Sequence, residues 1–432
     1  MSDIQAIRGT KDIYSSEIDL WRIIEKISCE IIELANYKEI RTPIFEKSLL
    51  YNRSLGEITD IVQKEMYTFL DKGKREITLR PEGTASIVRA FIEHKFYNQT
   101  LPQRFWYYGP MFRYERPQAG RQRQFHQLGV ECLGSNDPLA DVEIINLALE
   151  IFSKLKISNL KLEINSLGSN SARIKYTEEL YNYFSCYKSE LDSDSIARLE
   201  KNPLRILDTK NEHTRQIIQG APKILNFLDL DSKKHFDKVC EYLNVLNISY
   251  TINPNLVRGL DYYNDTTFEI KSSALGSQDT ICGGGRYDNL IKTLGGPSTP
   301  AVGWAIGMER LVLTSMKFIS SNTNLECYFI TLGESAKLYS LPIIQILRKH
   351  NLQIEMSVSE ATLQKQIKKA LQLQAIICII VGEEEINKQQ LQVKWLHSKE
   401  QEYIHLDSIA QLIYKIKIEK QRVLQNSELN II

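Results

Sequence analysis

An excess of charge of one sign is what this chain most plainly lacks. Its 432 residues carry 54 Lys and Arg against 53 Asp and Glu, a formal net charge of +1. A protein that holds nucleic acid across a general basic surface shows a basic excess, so that mode of binding is excluded. Cysteine is also sparse. The seven cysteines (Cys29, Cys132, Cys186, Cys240, Cys282, Cys327, Cys378) are odd in number and scattered. None lies at metal-knuckle spacing from another, so neither a zinc ribbon nor a disulfide framework is indicated, and a reducing compartment is expected. Long apolar runs are missing: the longest, Ala375 to Val381, suits a buried strand and falls far short of the roughly 20 residues of a membrane helix. The N-terminus, Met1 to Glu17, has no apolar stretch of the kind a secretory signal needs. The phosphate loop G-x-x-x-x-G-K-[ST] and the G-x-G-x-x-G fingerprint are both absent, so a nucleotide would have to be held some other way. What remains is a chain of average composition, 43% hydrophobic and 25% charged, long enough for two or three domains.

Periodicity organises that chain. Apolar residues at helical spacing (Leu20, Ile23, Ile24, Ile27, Ile31, Leu34) predict a helix from Leu20 to Ala35, ending near Asn36. Residues 40 to 135 read as strands and loops with short helices, rich in Tyr, Phe and Trp. From about 170 to 245 the chain turns to charged, amphipathic helical segments, which reads as a helical insertion, because strand patterns resume at Tyr250–Asn253 and Thr267–Lys271. The polar stretch Ser320 to Asn324 is a candidate linker. Beyond it a strand (Tyr328–Leu332), a helix (Leu338–His350), a strand near Gln353–Ser357, a basic helix and Ala375–Val381 alternate as a separate α/β domain of about 105 residues. No internal repeat or low-complexity segment is present.

The richest segment is RFWYYGPMFRYERPQAGRQRQFHQLGVECLG, Arg104 to Gly134. Between Arg104 and His126 stand five arginines (104, 113, 116, 121, 123) and one acid, Glu115. Two aromatic-rich strand patterns flank a turn on Pro117 and Gly120, a long-looped hairpin. Alternation along a strand puts Arg123, Phe125, Gln127, Gly129 and Glu131 on one face, and Leu128, Val130 and Cys132 on the other. Arg113 and Glu115 likewise share a face. A solvated hairpin would account for the charge alone. It does not account for a bulky Phe, a Gly and both signs of charge on one face, a mixture that suits a site gripping an anion, a planar ring and an amine. Arginine's planar fork fits phosphate and carboxylate with two parallel hydrogen bonds.

This hairpin resembles motif 2 of class II aminoacyl-tRNA synthetases, specifically of the histidyl-tRNA synthetase family, and five further segments agree. RTPIFE (Arg41 to Glu46) is similar to motif 1, whose proline lies at the family's dimer interface. TLRPEGT (Thr78 to Thr84) resembles the amino-acid-binding turn. LVRGLDYYN (Leu256 to Asn264) and CGGGRYDNL (Cys282 to Leu290) resemble the two histidine-specific motifs, and AVGWAIGMERL (Ala301 to Leu311) resembles motif 3. The six occur in family order and span essentially the whole chain. The fold implied is an α+β catalytic domain built on an antiparallel sheet (1–320) with the helical insertion at about 170–245. A C-terminal α/β anticodon-binding domain (325–432) follows.

The resemblance also implies a reaction. Histidine and ATP would give histidyl-adenylate and pyrophosphate, and the histidyl group would pass to the terminal ribose of histidine tRNA. Arg113 is expected to bridge the α-phosphate and the histidine carboxylate, and Arg258 to reach the α-phosphate from the opposite side. Arg310 would contact the γ-phosphate and cover the adenine, with Phe125 stacked on the ring's other face and Glu115 and Arg121 touching the nucleotide. Glu82, Thr84 and Gln127, beside Gly83, would hold the α-ammonium. Glu131 and Tyr263 would read the two imidazole nitrogens, with Tyr262 alongside and Tyr287 closing the pocket. Mg²⁺ is expected on the outer phosphates, without a dedicated protein cage.

Glycines 283–285 would allow close approach of backbone or ligand. Gly303, Gly307 and Arg310 would share one face of a helix. The basic helix (Lys365, Lys368, Lys369) is a candidate RNA contact. There the stretch SEATLQKQ (359–366) and the tail from Lys415 depart from the family pattern, so no anticodon contact is assigned to a residue. A homodimer in the cytoplasm or an organelle stroma, with no membrane partner, is expected. The competing class is a non-catalytic synthetase paralogue that regulates histidine biosynthesis.

Overall fold

The computed structural model describes residues 4–56, 59–118, 120–316, 325–358 and 361–429. The candidate linker Ser320–Asn324 and the first two residues of SEATLQKQ lie outside them. The chain divides into two compact units, Met1–Ile319 and Ser320–Ile432.

Strands of the first unit are, in chain order, β1 (Lys38–Glu39), β2 (Phe45–Lys47), β3 (Tyr67–Leu70), β4 (Glu76–Leu79), β5 (Gln103–Phe112), β6 (Gln124–Leu133), β7 (Leu160–Ser166), β8 (Tyr250–Ile252), β9 (Asn264–Ser272), β10 (Thr280–Arg286) and β11 (Ala301–Gly307). Eight of them form one sheet in the order β1-β5-β6-β11-β10-β9-β7-β8, while β2, β4 and β3 form a small second sheet. Every pairing from β5 to β7 is antiparallel, and the edge strands β1 and β8 pair in parallel. This is the α+β, antiparallel architecture that the motifs implied.

Alternation gives the large sheet two unlike faces. Val130 and Cys132 of β6, Val302, Trp304 and Ile306 of β11, and Phe268 and Ile270 of β9 point to one face. There they pack under the helices Ser16–Leu34, Pro138–Lys154 and Leu230–Val245 as one apolar core. The first of these helices stops where expected, with Asn36 in the left-handed conformation (φ 62°). The second starts on Asp137, whose side chain accepts from the N–H of Leu139, with proline at the first turn. The segment Ala301–Gly307 is a strand, not the helix that the Gly303/Gly307 spacing suggested. Four-residue spacing keeps two side chains on one face of a strand as well, so the period alone did not discriminate. The helix begins one residue later, at Met308, and carries Arg310.

The helical stretch divides in two. Helices Asn170–Cys186, Ser193–Lys201 and Glu212–Gln219, capped by Ser169, Asp192 and Asn211, enclose their own cluster of Tyr176, Leu180, Phe184, Leu199 and Ile217. Helix Leu230–Val245 instead gives Phe236, Val239 and Leu243 to the main core.

In the second unit β12 (Cys327–Thr331), β13 (Ile354–Met356), β14 (Ile377–Val381), β15 (Gln390–Trp395) and β16 (Gln401–His405) form a sheet in the order β13-β12-β14-β15-β16. The first three pair in parallel, and β15 and β16 add on antiparallel. In the basic helix Leu363–Gln372, Gln366 and Ala370 are buried, and Lys369 is paired with Glu355 at 2.5 Å.

Candidate active site

The other face of the large sheet is paved with small residues. Register aligns Gly129 of β6 with Ala305 of β11, and Ala305 with Gly283 of β10; one step along, Glu131 faces Gly303, and Gly303 faces Gly285. A side chain added here displaces a neighbour. A methyl on Gly283 would strike the guanidinium of Arg258, one on Gly129 the ring of Tyr107, and one on Gly303 the carboxylate of Glu131. The glycine-rich motifs thus open a floor on which long polar side chains from other elements lie down.

Above that floor is a cavity of about 430 Å³, a size suited to a small-molecule substrate. Glu82, Thr84, Arg113, Glu115, Arg121, Phe125, Gln127, Arg258, Tyr262, Tyr263 and Arg310 all line it. Gly83, Glu131 and Tyr287 do not; they stand behind its wall. Gly83 packs against the Tyr107 ring. Glu131 is fully buried, accepting hydrogen bonds from the hydroxyls of Thr84 (2.7 Å) and Tyr287.

Four arginines enter from four directions. Arg113 continues from the end of β5, donating through Nε to the carbonyl of Pro81 (2.9 Å), with its guanidinium 5.3 Å from the Phe125 ring centre and 3.6 Å from Glu115. Arg121, on the turn, reaches the other oxygen of Glu115 at 3.3 Å. From the helix at Met308, Arg310 donates to the carbonyls of Thr280 (2.6 Å) and Gly120 (3.4 Å), which ties the hairpin tip to β10. Burial first, then the nearby Arg121, holds its guanidinium below the ordinary value. Arg258 lies on Gly283, paired with Glu269 of β9, whose second oxygen accepts from Thr280 Oγ1 at 2.9 Å.

Arg123, which strand alternation placed beside Phe125, instead stacks 3.9 Å from the Tyr114 ring centre. The strand begins only at Gln124, so alternation does not reach it.

Carboxylates at the opposite end are shaped by burial. Glu82 caps the helix Thr84–Glu93, accepting from the N–H groups of Thr84 (2.7 Å) and Ala85 (2.8 Å). Burial raises its carboxyl and those two bonds oppose the rise. Burial pushes the Glu131 carboxyl up to about 8, against the hydroxyls of Tyr287 and Thr84. Tyr263 is likewise pushed up to about 12.

Three buried polar atoms on the cavity residues lack a hydrogen-bond partner: Arg258 Nε, Gln127 Oε1 and Glu115 Oε2. Unpaired groups of this kind cost stability unless a ligand meets them. Arg258 Nε offers a donor for an anion and Gln127 Oε1 an acceptor for an amine, while Glu115 Oε2 has Arg121 3.3 Å away. Among the described residues no group of three or more His, Cys, Asp or Glu is placed to hold a metal ion.

Sequence reasoning missed several lining residues. Glu269, Lys271 and Asp279 come from β9 and the start of β10, and Asp208, Lys210 and Arg215 come from the helical insertion. Nothing local marks them. Only the long-range pairing of Arg258 with Glu269 would have pointed there.

Comparison with known proteins agrees with this geometry. The histidyl-tRNA synthetase family profile matches residues 9–311, and an anticodon-binding domain profile matches residues 326–416. Histidine–tRNA ligase of Rippkaea orientalis is 53% identical over 423 residues, 98% of this chain and 99% of that one. The chloroplastic histidine–tRNA ligase of Porphyra purpurea is 50% identical over 431 residues, 100% of both chains. Among solved structures, apo S. aureus histidyl-tRNA synthetase superposes with a TM-score of 0.80 at 38% identity, covering 95% of this chain and 100% of that one. Matched along its length in both sequence and fold, the chain belongs to the histidyl-tRNA synthetase family.

Proposed function

We propose that this chain is a histidine–tRNA ligase whose catalytic domain (1–320) performs both chemical steps and whose C-terminal domain (325–432) binds the anticodon region of histidine tRNA. In the first step a histidine carboxylate oxygen bonds to the α-phosphorus of ATP, the bond to the bridging oxygen breaks, and pyrophosphate leaves. In the second, the terminal ribose hydroxyl of the tRNA takes the histidyl group and AMP leaves. The nucleophiles are the substrates, so the protein's contribution is position and positive charge around the crowded phosphorus.

The observation that carries this reading is the set of unpaired buried atoms on one glycine-paved cavity. Arg258 Nε and the Arg113 guanidinium suit an α-phosphate and a carboxylate approaching each other. Gln127 Oε1, with Glu82 and Thr84, suits the α-ammonium. Tyr263 and, through lone pairs not used by Thr84 and Tyr287, Glu131 suit the imidazole nitrogens, with Tyr262 and Tyr287 shaping that end. Phe125 and Arg310, both on the cavity, would hold the adenine, with Arg121 beside the nucleotide. Mg²⁺ would arrive on the outer phosphates and would offset their charge, with the Glu115 carboxylate, already paired to Arg113 and Arg121, on the same cavity.

A homodimer through the small sheet fits the exposure of Ile44 and Phe45 on and before β2 and of Leu49 just after it. No helix among the described residues is long and apolar enough to cross a membrane, which suits the cytoplasm or an organelle stroma. The regulatory paralogue is disfavoured by the retained Arg113, Arg258 and Arg310 and by the matched second unit. Labelled histidine, ATP and total tRNA supply the test. Acid-precipitable histidine that requires both ATP and tRNA is expected, and none with well-folded protein would turn the assignment to the regulatory class.

A further inference from the structure

The histidine-specific segment Leu256–Asn264 is gripped on two sides. Arg258, Tyr262 and Tyr263 line the cavity. Between them, Asp261 points away from it and into the helical insertion. Its Oδ1 accepts from Arg205 at 2.8 Å and from Asn202 at 3.3 Å, with Arg173 3.8 Å away. Arg173 also donates to the backbone carbonyls of Asp261 (3.0 Å) and Tyr263 (3.1 Å). Those three residues come from three stretches of the insertion: the helix Asn170–Cys186, the end of the helix Ser193–Lys201, and the turn Pro203–Asp208. On the opposite side Asp261 meets the chain at Leu55 and Gly56. Its N–H donates to the Leu55 carbonyl at 3.4 Å, and a methyl on Gly56 would lie 2.7 Å from its Oδ2. Val257 repeats the pattern with apolar contact, packing against both the insertion's cluster and the cluster that contains Tyr263 and Tyr287.

We infer that Asp261 is a positioning residue through which the helical insertion sets Arg258 and Tyr263 for histidine activation. The insertion therefore acts in the first step, before any tRNA is bound. The physical reason is rigidity. Arg258 sits on a loop, and a loop side chain keeps its aim only if neighbouring residues are anchored. One carboxylate that collects two arginines and an amide fixes the backbone on both sides of Tyr262. A misplacement of about 1 Å at a reacting group can cost 10²-fold in rate.

The inference rests on the ligase reading and is tested without tRNA, by histidine-dependent ATP–pyrophosphate exchange on the full chain. Asp261→Ala and Arg205→Ala, which removes the partner from the insertion side, should each lower exchange kcat by about 10- to 100-fold and raise the histidine KM. The double variant should be no worse than the worse single, because both cut one linkage. A role in stability alone would lower the melting temperature and the active fraction while leaving KM unchanged, and that split would overturn the inference. So would wild-type kinetics in folded Arg205→Ala, whatever Asp261→Ala does. Wild-type protein without any exchange would remove the ligase reading and this inference together. Exchange in the wild type with unchanged variants removes the inference alone.

Discussion

Replacing Gly283 by alanine tests whether the glycine floor exists to seat Arg258. Its backbone is open to any residue, since Gly283 is absent from the positive-φ positions. The added methyl, however, would lie 2.5 Å from Arg258 Cζ and 2.6 Å from its Nη1, where ordinary contact begins at 3.4 Å. Arg258 Nη2 would lie closer still, so the guanidinium must lift by more than about 1 Å. It cannot swing aside freely, because its side chain is 17% exposed and ion-paired to Glu269. At about 10²-fold for such a shift, the transition state loses about 2.7 kcal/mol. Histidine-dependent ATP–pyrophosphate exchange should fall by about that factor in kcat, while the melting temperature changes little and ATP still binds. Folded Gly283→Ala with wild-type turnover would refute the reasoning: Arg258 would then have no need of its seat, and the glycines would serve packing alone.

Other residues make separable predictions. Arg310→Ala removes the cavity guanidinium proposed to meet the nucleotide, and should cost about 10²-fold in exchange while histidine binding by calorimetry stays the same. Glu131, raised to about 8 by burial, gives a pH signature. Its folded value lies above that of an exposed glutamate, about 4.3, so the stability it contributes is present in acid and is lost as pH rises through about 8. The melting temperature of Glu131→Gln relative to wild type should therefore improve between pH 5 and pH 8, and a pH-independent difference would contradict it. Asp141→Ala takes the closer of two carboxylates from the Arg286 guanidinium, which is 1% exposed and paired to Asp141 at 2.6 Å and to Asp288 at 3.3 Å. It should destabilise the fold by about 3–5 kcal/mol in urea titration.

How far the chain could be read depended on the range of the signal. Alternation placed Phe125, Gln127 and Glu131 on one face and Leu128, Val130 and Cys132 on the other, and β6 keeps both sets apart. Periodicity located the end of the first helix near Asn36, which takes the left-handed conformation. The failures are equally local in origin. A four-residue glycine spacing suits a helix or a strand, and only the pairing with β6 and β10 makes Ala301–Gly307 a strand. Glu82 is both cap and cavity wall, and the resemblance of TLRPEGT to the amino-acid-binding turn had put it at the site. Glu269 and Asp261 were invisible for another reason. Their importance lies in partners 11 and about 56 residues away, Arg258 and Arg205, and no period in the sequence encodes such a meeting.

The most direct measurement is ATP–pyrophosphate exchange run with each of the twenty amino acids in turn, using the whole chain and no tRNA. Exchange with histidine alone is expected, because Tyr263 lines the end of the cavity proposed to hold the imidazole, with buried Glu131 and Tyr287 behind it, and polar groups so placed reject a side chain that leaves them unpaired. Exchange with a different amino acid, or with none while the protein remains folded, would contradict it.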